Sequence, residues 1–598
     1  MTASTRFFPI HRSWLSEMAT RYLAVISREG GDATSYADEL AQRSNLIIVH
    51  KTPKTCLLLD AAASYVRISE TGVIIGHLFT NGSKPSRVRS LDPSVCAAVA
   101  KSELRSLLRS HWGGYVALLD DPFTRRTVVL REPSGAMPCL FLTHGTFTLV
   151  TSDMETLLSC GIPAPRIHWD DLARHLWTHG LRSEKTCLDG ISELLPGTRL
   201  EVGKSTFTAR CWSPWDHADP SFIPDYDLAV TDLRDTVLGC LSAWAGCFQH
   251  VLLGVSGGLD SSIVAAGVAA DTKLTCLTMA TDEPFGDERR YARQLTNALD
   301  VPLVEAFYDF KEVDLTHSTC AHLPVPAGNP VAQTSNLRKL AIAEANNVDA
   351  FFSGAGGDNV FCYILSASPL LDRVKAEGTG GRSWQTLLEI CRLTGCSIWD
   401  VFAMALRRRF AGGPAYKWRP APLFLNPDRV SRFQPLQHSW LEAPKGAAVG
   451  KAAHIAGILR MQVAPDIFPR TAAATQILPL TSQPIMEFCL KIPTWQWIKD
   501  GRNRALARDA FASILPKSIA ERTSKGGPGS FAYQLMDRNR PLVRTQLLDG
   551  VLAQQGLLDL NALAPILRDE RPLQQADRMR LSELVEAEAW ARAWSSNS

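Results

Sequence analysis

Hydrophobic and polar positions follow different patterns in the two halves of the chain. From about residue 20 to residue 210, short apolar runs are separated by turn residues, which predicts a series of strands. These runs cover 22–26, 46–49, 56–59, 73–75, 115–119, 127–130 and 146–150. From about residue 225, long helical stretches alternate with short buried strands, which predicts an α/β domain with a parallel sheet.

Two glycine-rich loops stand out in the second half. The pattern predicts strands at 251–255, 274–279, 303–307 and 350–352, and helices at 262–270, 287–299 and 337–345. The loops follow the first and the last of these strands, at the carboxyl edge of the sheet, where open α/β sheets bind ligands. The stretch 211–226, which contains proline and tryptophan, is the predicted boundary between a domain at 1–215 and a domain at 216–598.

Length and composition limit the function classes. A chain of 598 residues is too long for a single domain core, which predicts at least two domains. Its 45% hydrophobic and 21% charged residues are typical of a globular protein. A net charge of +3 favours neither nucleic acid nor a membrane as partner. The 14 cysteines form no zinc-spaced cluster, and no signal peptide or membrane span is apparent, which predicts a cytoplasmic location.

The first loop has the composition of a pyrophosphate-binding site. In the string S-G-G-L-D-S-S at 256–262, paired glycines let backbone amides approach phosphate oxygens, and the next helix directs its positive end at the same anion. The predicted phosphate ligands are Ser256, Gly257, Gly258, Ser261 and Ser262. Asp260 would repel phosphate unless a cation lay between them, which indicates Mg²⁺. The competing interpretation, plain N-capping of a helix, explains a lone glycine pair better than it explains the complete string.

This string resembles the loop of the asparagine synthetase family, whose members cleave ATP between the α- and β-phosphates. By that resemblance Asp358, in the loop 353–358, is the second Mg²⁺ ligand, and Lys525 contacts phosphates and the reacting centre. The segments 479–488, 501–504, 515–516 and 522–527 follow in the family's order, although Ser482 stands where aspartate is usual. In the first half, 112–118 and 130–138 resemble the family's glutaminase domain, which implies a degenerate Ntn glutaminase-like β-rich sandwich.

Two departures from the family pattern narrow the expected chemistry. A glutaminase of this type needs an N-terminal cysteine, because the free α-amine acts as base for the thiol, and residue 2 here is Thr. Ala355 and Asn359 replace glutamates of the asparagine synthetase loop. With these changes, the chain most closely resembles lasso peptide cyclases. The segments that also carry this resemblance are 353–361, 438–440, 482–484, 492–495 and 524–527.

The resemblance implies an ATP- and Mg²⁺-dependent ligase. An Asp or Glu side chain of a precursor peptide would be adenylated and joined to the peptide's N-terminal amine, forming a macrolactam. Asp260 and Asp358 would hold Mg²⁺, Lys525 would counter negative charge, and Met279 and Gly354 would border adenine. The resemblance also implies a leader-binding element and a leader peptidase as partners.

Several points stay open at this stage. No general base is assigned, since Glu521, His438 and His454 are all better explained as surface or structural residues. The aromatic region 360–480 is expected to shape a peptide cavity or to be ordinary core. Alternatives are a β-lactam synthetase, a divergent asparagine synthetase, a tRNA-modifying enzyme and a non-catalytic peptide-binding scaffold. Ala355 disfavours a divergent asparagine synthetase. The sequence shows no basic RNA-binding face, which disfavours a tRNA-modifying enzyme. The intact Asp260, Asp358 and Lys525 disfavour a non-catalytic scaffold.

Overall fold

The first half of the chain forms two antiparallel sheets. A computed structural model describes residues 20–28, 31–121, 124–283, 286–434, 437–462, 474–523, 526–568 and 573–596. The sheets have the strand orders β10-β8-β9-β1-β3-β2 and β12-β11-β7-β6-β5-β4. Their strands are β1 (Tyr22–Ser27), β2 (Ile47–Lys51), β3 (Thr55–Leu59), β4 (Tyr65–Ile68), β5 (Gly72–Thr80), β6 (His111–Asp121), β7 (Arg126–Arg131), β8 (Leu140–His144), β9 (Phe147–Thr151), β10 (Ser192–Glu193), β11 (Thr198–Val202) and β12 (Thr206–Arg210).

The two sheets face each other across a shared apolar core. Alternate residues of β1, such as Tyr22 and Ala24, pack in one cluster with Val73, Val116 and Val129 of the second sheet. This sharing follows from the strand period of two, which turns every second side chain toward the facing sheet. The helices beside these sheets are α1 (Ala33–Arg43), α2 (Pro93–Lys101), α3 (Leu107–Ser110), α4 (Met154–Ser159) and α5 (Trp169–Trp177).

The second half is built on a parallel five-stranded sheet of order β15-β14-β13-β16-β17. Its strands are β13 (His250–Gly254), β14 (Lys273–Ala280), β15 (Leu303–Phe307), β16 (Ala350–Ser353) and β17 (Thr475–Ile477), and a small hairpin of β18 (Ile498–Lys499) and β19 (Arg502–Asn503) follows. β13, β14 and β15 follow one another in the chain, whereas β16 and β17 come from farther along it. Because all five strands are parallel, crossover connections bring their carboxyl ends to one edge.

Eighteen further α-helices are described in this half. They are α6 (Tyr226–Ala245), α7 (Leu259–Val268), α8 (Arg289–Leu299), α9 (Ala332–Asn346), α10 (Gly357–Val360), α11 (Ser368–Glu377), α12 (Gly381–Thr394), α13 (Ile398–Phe410), α14 (Pro427–Val430), α15 (Val449–Arg460), α16 (Gln483–Lys491), α17 (Ala505–Phe511), α18 (Lys517–Ala520), α19 (Gly529–Arg538), α20 (Arg540–Asp549), α21 (Val551–Gln554), α22 (Leu560–Arg568) and α23 (Gln575–Ser595).

An aromatic cluster joins the two halves. Trp244 of α6 packs edge-on against Phe79 and Trp112 of the second sheet, with ring centroids 5.0 and 6.3 Å apart. The Trp244 indole also donates to Ser482 Oγ at 3.0 Å. Ser482, which stands where the family usually has aspartate, is therefore a buried partner of the tryptophan that packs against the first half. Because one apolar core is continuous through both, the division at residue 215 remains a prediction.

The predicted fold class is confirmed: the first half is rich in strands and the second carries a parallel sheet. The main differences lie at helix starts and in strands that the pattern did not predict, which are β4, β8, β10, β11 and β12 in the first half and β17, β18 and β19 in the second. The helix predicted at 262–270 begins at Leu259, with Gly258 as its N-cap in an extended conformation, so Asp260 lies in its first turn. The edge strand β17 was not predicted, since three residues carry too little pattern.

All 14 cysteines lie within the described residues, and no disulfide bond joins any two of them there. Over the same part of the chain, no helix has both the length and the apolar composition needed to cross a membrane.

Candidate active site

The loop between β13 and α7 has a backbone that only glycine adopts easily. Gly257 has φ +61°, and a Cβ atom built on it would lie 2.2 Å from Cβ of Tyr291. Gly258 is the N-cap of α7 and has no side chain with which to cap it. The first amides of α7 and its positive end are therefore left available to an anion at the sheet edge.

The three predicted hydroxyl ligands are not equivalent. Ser262 is fully buried and donates to Gly258 O at 2.8 Å, so in this structure its hydroxyl holds the turn. Ser256 Oγ accepts from Gly258 N, and Ser261 Oγ accepts from Ser256 N, both at 3.4 Å. Such long hydrogen bonds are readily exchanged for bonds to phosphate. Phosphate binding by all five predicted ligands remains a prediction.

The second loop packs directly on the first. A Cβ atom on Gly354 would lie 2.5 Å from Ser261 N, and one on Gly357 would lie 2.5 Å from Cγ of Asp260. Glycine is therefore required at both positions for the two loops to touch. Met279 lies on β14 beside β13, two residues beyond the Gly254–Leu277 pair, at the same carboxyl edge.

Asp260 and Asp358 converge on one cation. Arg504 Nη1 donates to both carboxylate oxygens of Asp260 at 2.9 Å each, and it also donates to Oδ1 of Asp358. Asp260 and Arg504 are buried, and the guanidinium carbon lies 5.5 Å from the centre of the Tyr363 ring. The two carboxylates that were predicted to share a metal thus lie within reach of a single nitrogen atom.

This pair of carboxylates suits Mg²⁺. The ion is typically held by one or two carboxylates, with substrate phosphates and water completing an octahedron. Among the described residues no group of three or more His, Cys, Asp or Glu side chains could enclose a metal, so a site here would need phosphate oxygens as further ligands. Sequence reasoning identified the segment 501–504 but assigned no role to Arg504, because a cation in a loop has no periodicity that marks it as a site.

A second arginine, Arg522, donates hydrogen bonds to the backbone of the phosphate loop. Arg522 Nη1 donates to the carbonyl oxygens of Ser256 and Gly257 at 3.1 Å each, and Nη2 donates to Glu288 Oε1 at 2.6 Å. The same Glu288 oxygen accepts from Gly526 N at 3.0 Å. The guanidinium carbon of Arg522 lies over the Tyr291 ring, 3.9 Å from its centre.

Glu288 therefore accepts hydrogen bonds from Arg522 and Gly526, which precede and follow Lys525 in the chain. Arg522 in turn connects Glu288 to the phosphate loop. Lys525 itself lies outside the described residues, and its predicted role remains a prediction. Sequence analysis quoted Arg522 within the segment 522–527 but gave it no role, and it did not single out Glu288. The two residues are 234 positions apart in the chain and meet only in the folded protein.

The three residues considered as bases have structural surroundings. His454 Nε2 lies 2.9 Å from Val360 O, and burial lowers the pKa of His454 to about 3. Burial also lowers the pKa of His438 to about 4, and its Nδ1 accepts from Trp440 N. Glu521 is exposed. None of these observations places a base at the two carboxylates.

Comparison with known proteins agrees with this geometry. The family model described as asparagine synthase matches residues 247–592, which contain the described loops, both aspartates and both arginines. The chain belongs to the asparagine synthase family. Membership supports ATP binding and ATP-dependent formation of an amide bond as the general chemistry of this chain.

Two solved structures show remote likeness. One is described as the allosteric regulatory enzyme of purine biosynthesis, with 12% identity, a TM-score of 0.20, and coverage of 49% of this chain and 75% of that one. The other is glutamine phosphoribosylpyrophosphate amidotransferase from B. subtilis complexed with ADP and GMP, with 10% identity, a TM-score of 0.22, and coverage of 49% and 91%. No curated protein matches the sequence. Likeness this remote assigns neither ligand nor activity.

In an asparagine synthase family member, the replacements at 355 and 359 have visible consequences. Asn359 donates from Nδ2 to Gly457 O at 2.8 Å and so ties α10 to α15. Ala355 presents only a methyl group between Gly354 and Gly356, and its amide donates to Ser353 Oγ at 3.1 Å. Neither position supplies a carboxylate to the site.

Proposed function

We propose that this family member closes a macrolactam ring in a ribosomally made precursor peptide, as lasso peptide cyclases do. The observation that carries the proposal is the convergence of Asp260 and Asp358 beside a glycine loop, in a site that has methyl and amide groups where asparagine synthetases have glutamates. The adenylating half of the chemistry is thus retained, while the carboxylate groups associated with making asparagine are absent.

In the proposed reaction, an Asp or Glu side-chain carboxylate of the peptide attacks the α-phosphorus of ATP. The bond to the β-phosphate oxygen breaks, and pyrophosphate leaves. The peptide's N-terminal amine then attacks the acyl carbon, loses a proton and displaces AMP. Because donor and acceptor belong to one chain, holding them together gives a high effective concentration.

The residues at the site divide this work. The amides of Gly257 and Gly258, with the hydroxyls of Ser256 and Ser261, bind the pyrophosphate portion. Bound between Asp260 and Asp358, Mg²⁺ would offset the negative charge of the phosphates. Lys525 is proposed to stabilise the leaving pyrophosphate and the oxyanion of the second step, and Met279 and Gly354 are proposed to border adenine.

Partners follow from the same proposal. A precursor peptide is the substrate, and a leader-binding element and a leader peptidase would prepare it. Two tryptophans of the aromatic region 360–480 have structural contacts with the first half. Trp440 is buried and packs against Trp212. Trp418 donates a hydrogen bond to Thr178 O at 2.8 Å.

The test measures pyrophosphate and AMP release from Mg-ATP, with and without a leader-cleaved candidate peptide, together with the mass of every product. The wild type is expected to release both products only with peptide, and to yield a peptide lighter by one water. Asp260→Asn should lower this rate at least about a hundredfold. Asp300→Asn, an exposed position with a left-handed backbone that Asn adopts easily, is the matched control and should leave the rate unchanged.

Other substrates separate the alternatives. Nucleotide cleavage with a carboxyethyl amino acid, but not with peptide, would identify a β-lactam synthetase. Cleavage with aspartate and ammonium would identify an asparagine synthetase. No cleavage with any of these, with candidate partners added, would refute the ligase assignment in favour of a non-catalytic scaffold.

A further inference from the structure

The helix α13 carries a row of exposed apolar side chains. Trp399 and Phe410 are each 78% exposed, Phe402 is 47% exposed and Leu406 is 41% exposed. Isolated exposed apolar residues are ordinary, but a contiguous group that includes a tryptophan and two phenylalanines marks a contact surface. We call these four residues the α13 stripe.

The α13 stripe is separate from the face by which the helix packs. Val401 and Ala405 face inward, in a small core shared with α11 and α12. At 3.6 residues per turn, the four stripe residues fall within an arc of about 80°, centred about 120° away from these two. They extend over about 16 Å of the helix. One face of the helix is therefore packed in the core, and the α13 stripe forms a second, apolar face that is exposed.

The chain around the α13 stripe is strongly basic. Between Asp400 and Asp428 the sequence contains no acidic residue and five cations, Arg407, Arg408, Arg409, Lys417 and Arg419. Arg407 and Arg409 are exposed and lie on the two sides of the stripe, whereas Arg408 donates to the carbonyl oxygens of Pro414 and Ala415. The near-neutral total charge, from which no membrane partner was predicted, conceals this local excess.

We propose that the α13 stripe and its flanking arginines dock on an anionic lipid surface. Helices that lie at a membrane interface combine an apolar row that includes Trp and Phe with Lys or Arg beside it. The arginines would contact lipid phosphates while the aromatic rings enter the headgroup layer.

The observations favour a lipid surface over two other occupants. Trp399 and Phe410 project almost completely from the surface, so a rigid protein partner would need a matching pocket for each, whereas a fluid layer accepts them without one. A second copy of the chain would bring like charges from two basic segments together, which is unfavourable in a self-complementary contact. The docking does not depend on the proposed ligase reaction.

Co-flotation of the full chain with lipid vesicles tests the proposal. At about 0.05 M salt the wild type should float with vesicles that contain phosphatidylglycerol and not with pure phosphatidylcholine, and about 0.5 M salt should release it. Trp399→Ser/Phe410→Ser should lower the affinity at least about tenfold. Arg407→Gln/Arg409→Gln should lower it about thirtyfold, since each cation near an anionic surface contributes about a fivefold factor.

Control variants replace other exposed residues of the same kinds elsewhere on the chain. Leu228→Ser/Met579→Ser and Lys101→Gln/Lys204→Gln should float like the wild type. Circular dichroism verifies that each variant is folded, and the charge variant tests the proposal independently of the apolar one. Absence of flotation with anionic vesicles, or flotation that neither double variant weakens, would overturn the proposal. So would sedimentation showing a dimer that Trp399→Ser/Phe410→Ser dissociates, because a second copy would then cover the stripe.

Discussion

Arg504 offers the sharpest test of the site, because it occupies the position between two carboxylates that a divalent cation is predicted to share. Replacing it with methionine keeps most of the volume and removes the charge. Asp260 then loses two charge-assisted hydrogen bonds and Asp358 loses one. The two carboxylates would face each other without the arginine's charge to offset their repulsion.

The expected cost can be bounded. Removing one partner of a buried ion pair costs about 3–5 kcal/mol. Asp260 is buried, but the Asp358 side chain is 30% exposed, so water offsets part of the loss, and we expect about 2–3 kcal/mol. Added Mg²⁺ should restore much of this in Arg504→Met, since a ligand at a hundred times its dissociation constant stabilises by about 2.7 kcal/mol.

The assay is urea unfolding of the wild type and Arg504→Met, each with and without Mg²⁺. The wild type should respond weakly, because its own guanidinium competes with the ion. The control is Arg502→Met, which removes a partly exposed arginine paired with Asp509 and should leave the Mg²⁺ response as in the wild type. Equal Mg²⁺ responses of the wild type and Arg504→Met would refute the idea that the two carboxylates form one cation site.

Three further predictions follow from contacts around the site. Gly257→Ala should cost at least about 2 kcal/mol and abolish pyrophosphate release, since it adds a methyl group against the neighbouring tyrosine at a left-handed φ. Glu288→Gln should cost about 1.5–3 kcal/mol and raise KM for ATP, because one carboxylate oxygen accepts from both an arginine and a backbone amide. Lowering the pH from 7 to 5 should reduce the unfolding free energy by about 2 kcal/mol through His454, whose pKa of about 3 when folded lies below the unfolded value, so that only the unfolded chain binds the proton.

Each prediction has a control or a contrary result. Gly412→Ala has the same left-handed backbone, φ +62°, but open space around it, so it isolates backbone strain from the clash at Gly257. Glu305→Gln removes an ion pair with a half-exposed arginine and should cost less than about 1 kcal/mol. If His454→Gln unfolds with the same pH dependence as the wild type between pH 7 and pH 5, the buried histidine is not the acid-sensitive group.

Local sequence signals predicted the elements that have strong patterns of their own. The run at 251–255 and the glycines after it predicted a strand, a turn and a helix, because a buried strand and a φ above zero at Gly257 both require particular residue types. Asp260 was identified from its place in the string at 256–262, and Asp358 from the resemblance of the loop 353–358 to the asparagine synthetase family. Boundaries were less accurate, since the helix start at Leu259 depends on how Gly258 is positioned by its neighbours.

What the sequence determined by itself is therefore the main strands of each half, the two glycine loops and the two carboxylates, all of which are recognised from residues close together in the chain. The tertiary structure decided which distant side chains meet them. Arg504 reaches Asp260 across 244 positions, Arg522 reaches the phosphate loop across more than 260, and Ser482 became a buried partner of Trp244. Such contacts depend on strand order and crossovers, so no local pattern of hydrophobicity or charge records them.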